Sequence, residues 1–139
     1  MNTLVNFELA KLLKEKMFDK PVNNYTSERD GDYFSNEKQM ISYKNYNQIC
    51  NIYSRPTIAE VVMWLYEKYG IWIYSYSVAP YILDEEEYPK IVFVSKVQKF
   101  KEFDRFIDTD NGLAVNHFNS PIEAYEAAIA YTLKNLIKT

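Results

Sequence analysis

The sequence predicts an α+β domain, with about three helices packed on one face of a small antiparallel sheet. Two segments, "PTIAEVVMWLYEKYG" and "SPIEAYEAAIAYTLKNLI", carry apolar residues at helical spacing behind Thr and Ser caps. Two others, "IWIYSYSV" and "IVFVSKVQKF", have the β-branched and aromatic content of strands. Helices and strands follow one another without the regular alternation that builds a parallel sheet. With 139 residues, 47% of them hydrophobic and 25% charged, the chain fits one domain, 1–139. That length buries a core without help from disulfides or a structural metal.

The first helix is expected from about residue 3 to residue 18. Val5, Leu9, Leu12, Leu13 and Met17 share one face, and Pro21 ends the segment. Residues 22–55 stay open between loop and strand. "NNYTSERDGDYFSNEKQ" reads as an exposed loop or as a hairpin tip turning at Asp30-Gly31, flanked by residues 24–25 and 33–34. "QMISYKNY" and "QICNIYS" are short and β-rich, so each is a strand candidate. Cys50 stands among apolar neighbours in "QICNIY", which predicts a buried, inert thiol.

The second helix has Thr57 as N-cap, Glu60 three residues on, and Gly70 as its stop. Ile58, Val61, Val62, Leu65 and Tyr69 form its seam, and Met63 and Trp64 extend burial to a second side. In the next strand Ile71, Ile73, Ser75 and Ser77 point one way, while Trp72, Tyr74, Tyr76 and Val78 point the other. The acidic loop "APYILDEEEYPK" then leads to an antiparallel partner strand. Phe100, Phe103, Phe106 and Ile107 make either one short helical face or an aromatic connector. Asp110-Asn111-Gly112 is a turn, and "LAVNHF" is a candidate last strand. The final helix runs from Ser120 to about Ile137, with Pro121 at its first position and Glu123 completing the capping box. Ala124, Ala127, Ala128 and Ala130 allow another element to approach it closely.

Several kinds of chemistry find no support. Glycine occurs only at 31, 70 and 112, so there is neither a P-loop nor a dinucleotide fingerprint. One cysteine and one histidine make no zinc set. "DTDNG" falls out of calcium-loop register, because the first ligand position lands on Ile107. The acidic run 84–87 reads as a solvated loop. No catalytic residue, metal or cofactor is therefore assigned. A net charge of -3 disfavours non-specific binding to nucleic acid or anionic membrane. With a lone cysteine, no signal peptide and no bilayer-length apolar run, the expected location is the cytoplasm.

Two features remain as candidate sites. Trp72, Tyr74 and Tyr76 line one strand face, with Lys96, Lys99 and Lys101 on the next strand. Core packing beneath the helices is the first reading of these aromatics; stacking of single-stranded bases is the alternative. His117, just before the last helix, reads first as a hydrogen-bonding residue beside a helix start. The alternative is a pocket with Tyr125 and an acid such as Glu123 or Asp110. Asn, Ile, Lys, Tyr and Phe make up 58 of the 139 residues. All five have AT-rich codons, so tyrosine richness is no functional signal by itself.

The segments "FELAKLLKEKMFDKPV", "PTIAEVVMWLYEKYGIWI" and "SPIEAYEAAIAYTLKNLI" resemble small proteins encoded by gut Bacteroidales and their phages or prophages. The resemblance covers the three helices and the first of the two clear strands. No activity attaches to that family, so it implies context alone: a short accessory protein from a mobile element, in a bacterial cytoplasm. The expected function is a non-enzymatic interaction protein that binds a protein partner or a second copy of itself, without a membrane. A single-stranded nucleic-acid binder is the alternative, and an enzyme centred on His117 the second alternative.

Overall fold

Capping chemistry sets the helix boundaries in the computed structural model, which describes residues 3–29, 32–35, 43–78, 91–101, 105–108 and 118–138. Helix α1 (Phe7–Glu15) starts after Asn6, whose side chain accepts the Leu9 N–H at 2.9 Å. The start is therefore later than expected. Residues 3–5 are extended instead, with Leu4 bridged to Thr57 and the Val5 N–H donating to the Pro56 carbonyl.

The end of α1 also departs from the helical pattern. Met17 turns left-handed (φ 63) and donates its N–H to the Lys14 carbonyl, while Phe18 donates to Leu13. This is a Schellman stop, built on a methionine where glycine is usual. It takes Met17 off the apolar face, leaving it 69% exposed, and puts Phe18 into the core.

Helix α2 (Ile58–Tyr69) begins as expected, with Thr57 Oγ1 accepting the Glu60 N–H at 3.2 Å, and ends at left-handed Gly70. Ile58, Val61, Val62, Trp64 and Leu65 are buried, but Met63 is 45% exposed. Burial on a second side thus stops at Trp64. Helix α3 (Pro121–Asn135) closes its capping box one residue upstream of expectation. Ser120 Oγ accepts from the Glu123 N–H, and the Glu123 carboxylate accepts from the Asn119 N–H.

Together these elements make a single α+β domain whose strands form two antiparallel sheets. In the first, β1 (Tyr25–Arg29) lies between β2 (Asp32–Ser35) and β3 (Ile52–Ser54). Arg29 faces Asp32, so β1 and β2 form the hairpin that the turn signal allowed; Asp30 and Gly31 themselves lie outside the described residues. Within "QMISYKNY", residues 43–46 form no strand: Lys44 exchanges backbone bonds with Val22, and a 3-10 turn follows at Tyr46–Gln48. Asn51 is left-handed (φ 59), and this tight turn projects Cys50 outward. The thiol is exposed, contrary to the expectation of burial.

The second sheet has the order β4 (Ile71–Val78), β5 (Val92–Lys101), β6 (Arg105–Asp108). Ile71 pairs with Lys99 and Val78 with Val92, which is the antiparallel pair expected. The aromatic stretch after Phe100 is neither helix nor irregular connector, since β6 returns along β5 with Phe106 opposite Phe100. Of "LAVNHF", only Phe118 is described, and it bridges to Phe93.

Helices α2 and α3 pack on the side of β4–β5 that carries Ile71, Ile73 and Val97, all at most 1% exposed, while α1 packs on α3 and on β3 of the first sheet. Small residues permit the contact: Ala124 and Ala128 of α3 and Ser95 of β5 are fully buried. Lys14 staples α1 to the first sheet by donating to the Ile49 and Ile52 carbonyls at 2.6 and 2.7 Å. Among the described residues no helix is long and apolar enough to cross a membrane.

Candidate interaction surface

Strand alternation decides which side chains share the face of β4–β5 opposite the helices. Since Ile71, Ile73 and Val97 take the helix side, Trp72, Tyr74 and Tyr76 take the other. Tyr74 and Tyr76 are therefore not core beneath the helices, whereas Trp72 packs, partly buried, against the core. Trp72 and Tyr74 are half-buried, and Tyr76 is 38% exposed. The Tyr74 and Tyr76 rings lie 6.1 Å apart, and Trp72 meets Tyr66 of α2 edge-on at 5.6 Å.

The three lysines do not form one set. Lys96 is the register partner of Tyr74 and joins the aromatic face, where Gln98 stands opposite Trp72. Lys99 is exposed but pairs with Ile71, so its position belongs to the helix side. Lys101 ends β5 opposite Arg105, at the same parity as Lys99; its side chain lies outside the described residues. His117 and Asp110 also lie outside them. Of the proposed partners of His117, Glu123 is engaged in capping α3, and Tyr125 is half-buried against the core.

The structure adds two residues, Met63, which sequence reasoning buried, and Tyr66, which it did not assign. Met63 and Tyr66, 45% and 43% exposed, stand one turn apart on the flank of α2. With Trp72 and Gln98 they line a groove of about 560 Å³. Met63 also borders a second groove, of about 340 Å³, with Pro21, Tyr43 and Trp64 on its other walls. Lys20, Glu60 and Glu67 also line this second groove, which is therefore mixed in character. The i, i+3 spacing of Met63 and Tyr66 outside the buried stripe was the sequence signal for this flank.

A third groove, about 360 Å³, lies against α1 and contains Lys11, Lys14, Cys50, Asn51 and Tyr53. Burial lowers the pKa of Lys14 from its ordinary value, with Cys50 acting weakly in the opposite direction. The ammonium nevertheless sits 4.9 Å over the Tyr53 ring and is committed to two carbonyls. That makes it a structural staple, and a poor nucleophile.

No protein-family model, curated protein or solved structure matches the chain.

Proposed function

We propose that this protein is a non-catalytic interaction protein that holds a partner protein on the aromatic face of β4–β5 and the adjoining flank of α2. One observation carries the reading: Met63 and Tyr66, 45% and 43% exposed, line one groove with half-buried Trp72, and Tyr74 and Tyr76 follow Trp72 on the same strand face. Contiguous apolar surface of this kind marks binding sites, and Tyr, Trp and Met are enriched where interfaces are driest. Burying such a side chain from full exposure contributes roughly 1.5–3 kcal/mol, and side chains that are 38–45% exposed retain somewhat under half of that for a partner. The resemblance to short proteins of Bacteroidales and their phages makes an accessory role in a bacterial cytoplasm the matching context, and the exposed, unpaired Cys50 is compatible with a reducing compartment.

Lys96 beside Tyr74 favours a second reading, in which single-stranded bases stack on the same strand aromatics. One experiment separates the two. A benzophenone amino acid replacing Tyr66 or Tyr76 is irradiated in lysate of the native host, with the same probe at Lys11 as control. A protein adduct at 66 and 76 that survives nuclease supports the first reading. An adduct removed by nuclease supports the second, and identical adducts at all three positions refute both.

A further inference from the structure

Among the described residues strand β4 is the outer strand of its sheet, and we infer that a second copy of this chain pairs with it, antiparallel, about a two-fold axis at Tyr76. The hydrogen-bond phase of the strand comes from two separate observations. The Phe100 N–H donates to the Gly70 carbonyl at 2.7 Å, so Trp72, Tyr74 and Tyr76, at steps of two, are the β4 positions bonded to β5. At the other end of β5, Phe93 exchanges bonds with Phe118 at 2.9 and 2.8 Å, so its register partner Ser77 is not bonded to β5. Both place the N–H and C=O groups of Ile71, Ile73, Ser75 and Ser77 on the outer edge.

Only part of that edge is open. Ile71 and Ile73 are each 1% exposed, backbone included, so the edge is covered there. Beyond them Ser75 is half-buried, Tyr76 is 38% exposed and Ser77 is exposed, and the strand ends at Val78. Exposed edges are normally blunted by lysine, proline or a bulge. "IWIYSYSV" contains neither a charge nor a proline.

A copy of the same strand fits the opening. With Tyr76 on the two-fold, Ser75 faces Ser77 of the second copy, and their outward N–H and C=O groups exchange hydrogen bonds. In this register Val78 stands opposite Tyr74 of the other copy, one position short of the covered Ile73. Tyr76 meets its own counterpart at a position without hydrogen bonds, where side chains come closest. With Tyr74 already 6.1 Å away, pairing gathers the tyrosines of both copies into one cluster. This contact leaves the groove at Met63 and Tyr66 free but covers Tyr76, so only Tyr66 reports on the function proposed above, on which the pairing does not otherwise depend.

The test uses the full chain with Cys50→Ser. Tyr76→Cys is expected to give a disulfide-linked dimer under mild oxidation, while Trp72→Cys and Tyr74→Cys, displaced from the axis, give at least tenfold less. Sedimentation of the unmodified chain should show mass rising from 16.5 kDa towards twice that value with concentration. Ser77→Pro removes an outward N–H that has no hydrogen-bond partner among the described residues, and should weaken the dimer at least tenfold with native near-UV circular dichroism retained. Should that variant unfold, the cysteine comparison decides alone. A 16.5 kDa monomer at high micromolar concentration, or equal crosslinking at 72, 74 and 76, overturns the inference. A monomer that still captures a partner through Tyr66 refutes self-pairing and leaves the interaction reading standing; a dimer that captures nothing does the reverse.

Discussion

Met17→Gly should make this protein more stable, although it deletes a large apolar side chain. Met17 has φ 63 and is 69% exposed, so the side chain contributes little packing while the backbone is strained. A left-handed L-residue costs about 1–2 kcal/mol. Against this, glycine raises the entropy of the unfolded chain by about 0.4–1 kcal/mol. The net expected gain is ~0.5–1 kcal/mol. With a urea slope of about 2 kcal/mol/M, the midpoint should rise by ~0.3–0.5 M. Urea titration followed by tryptophan fluorescence reads this directly, because Trp64 is 1% exposed and packs on Phe18, the residue after the turn. The reciprocal change, Gly70→Ala, keeps φ near 65 and brings a Cβ to 3.4 Å from the Phe100 Cβ. It should cost ~1 kcal/mol or more, chiefly from the backbone. A midpoint for Met17→Gly that is unchanged or lower, at constant slope, would refute the reasoning.

Two further outcomes are expected. Ser95→Ala should stabilise the fold by about 1 kcal/mol, since the Ser95 hydroxyl is fully buried without a hydrogen-bond partner; a loss of stability in the urea midpoint would contradict this. Burial, and secondarily Tyr25, raises the Tyr46 pKa above its ordinary value near 10. The fold therefore binds this proton more tightly than the unfolded chain. Its contribution is complete below pH ~10 and is lost as pH rises through the folded pKa. Tyr46→Phe should flatten the alkaline fall in melting temperature, and an unaltered fall would show that other groups cause it.

What the sequence made legible was local. Thr57–Glu60, Ser120–Glu123 and Gly70 mark helix ends through contacts within four residues, and each helix end lies where it was read, although the Glu123 carboxylate accepts from Asn119 and not from Ser120. The β1–β2 hairpin was signalled by Asp30-Gly31, yet β3 joins that sheet through pairing of Tyr25 with Ser54, for which no short-range pattern exists. Met17 and Cys50 were misplaced for a related reason. Each lies at a turn whose left-handed residue is not glycine, so helical or apolar pattern continued on paper where the backbone had already turned. The orientation of β4 was the most consequential ambiguity. Its two faces, Ile71/Ile73 and Trp72/Tyr74/Tyr76, are both apolar, and only tertiary packing decides which meets the helices. A clue lay in Ser75 and Ser95, whose small side chains complement the alanines of α3. Because the aromatic face turned outward, the strand aromatics became the candidate site, and alternation separated Lys96 from Lys99.

The central claim is that Met63 and Tyr66 serve binding and not folding. Met63 and Tyr66 are 45% and 43% exposed, so the double variant Met63→Ala/Tyr66→Ala should change unfolding free energy by no more than about 1 kcal/mol. The most direct measurement is the dissociation constant of the partner crosslinked at Tyr66, taken with the unmodified chain and with this variant. At least a tenfold weakening, equivalent to about 1.4 kcal/mol, is predicted with the urea midpoint retained. Equal affinity for the two chains would contradict the account.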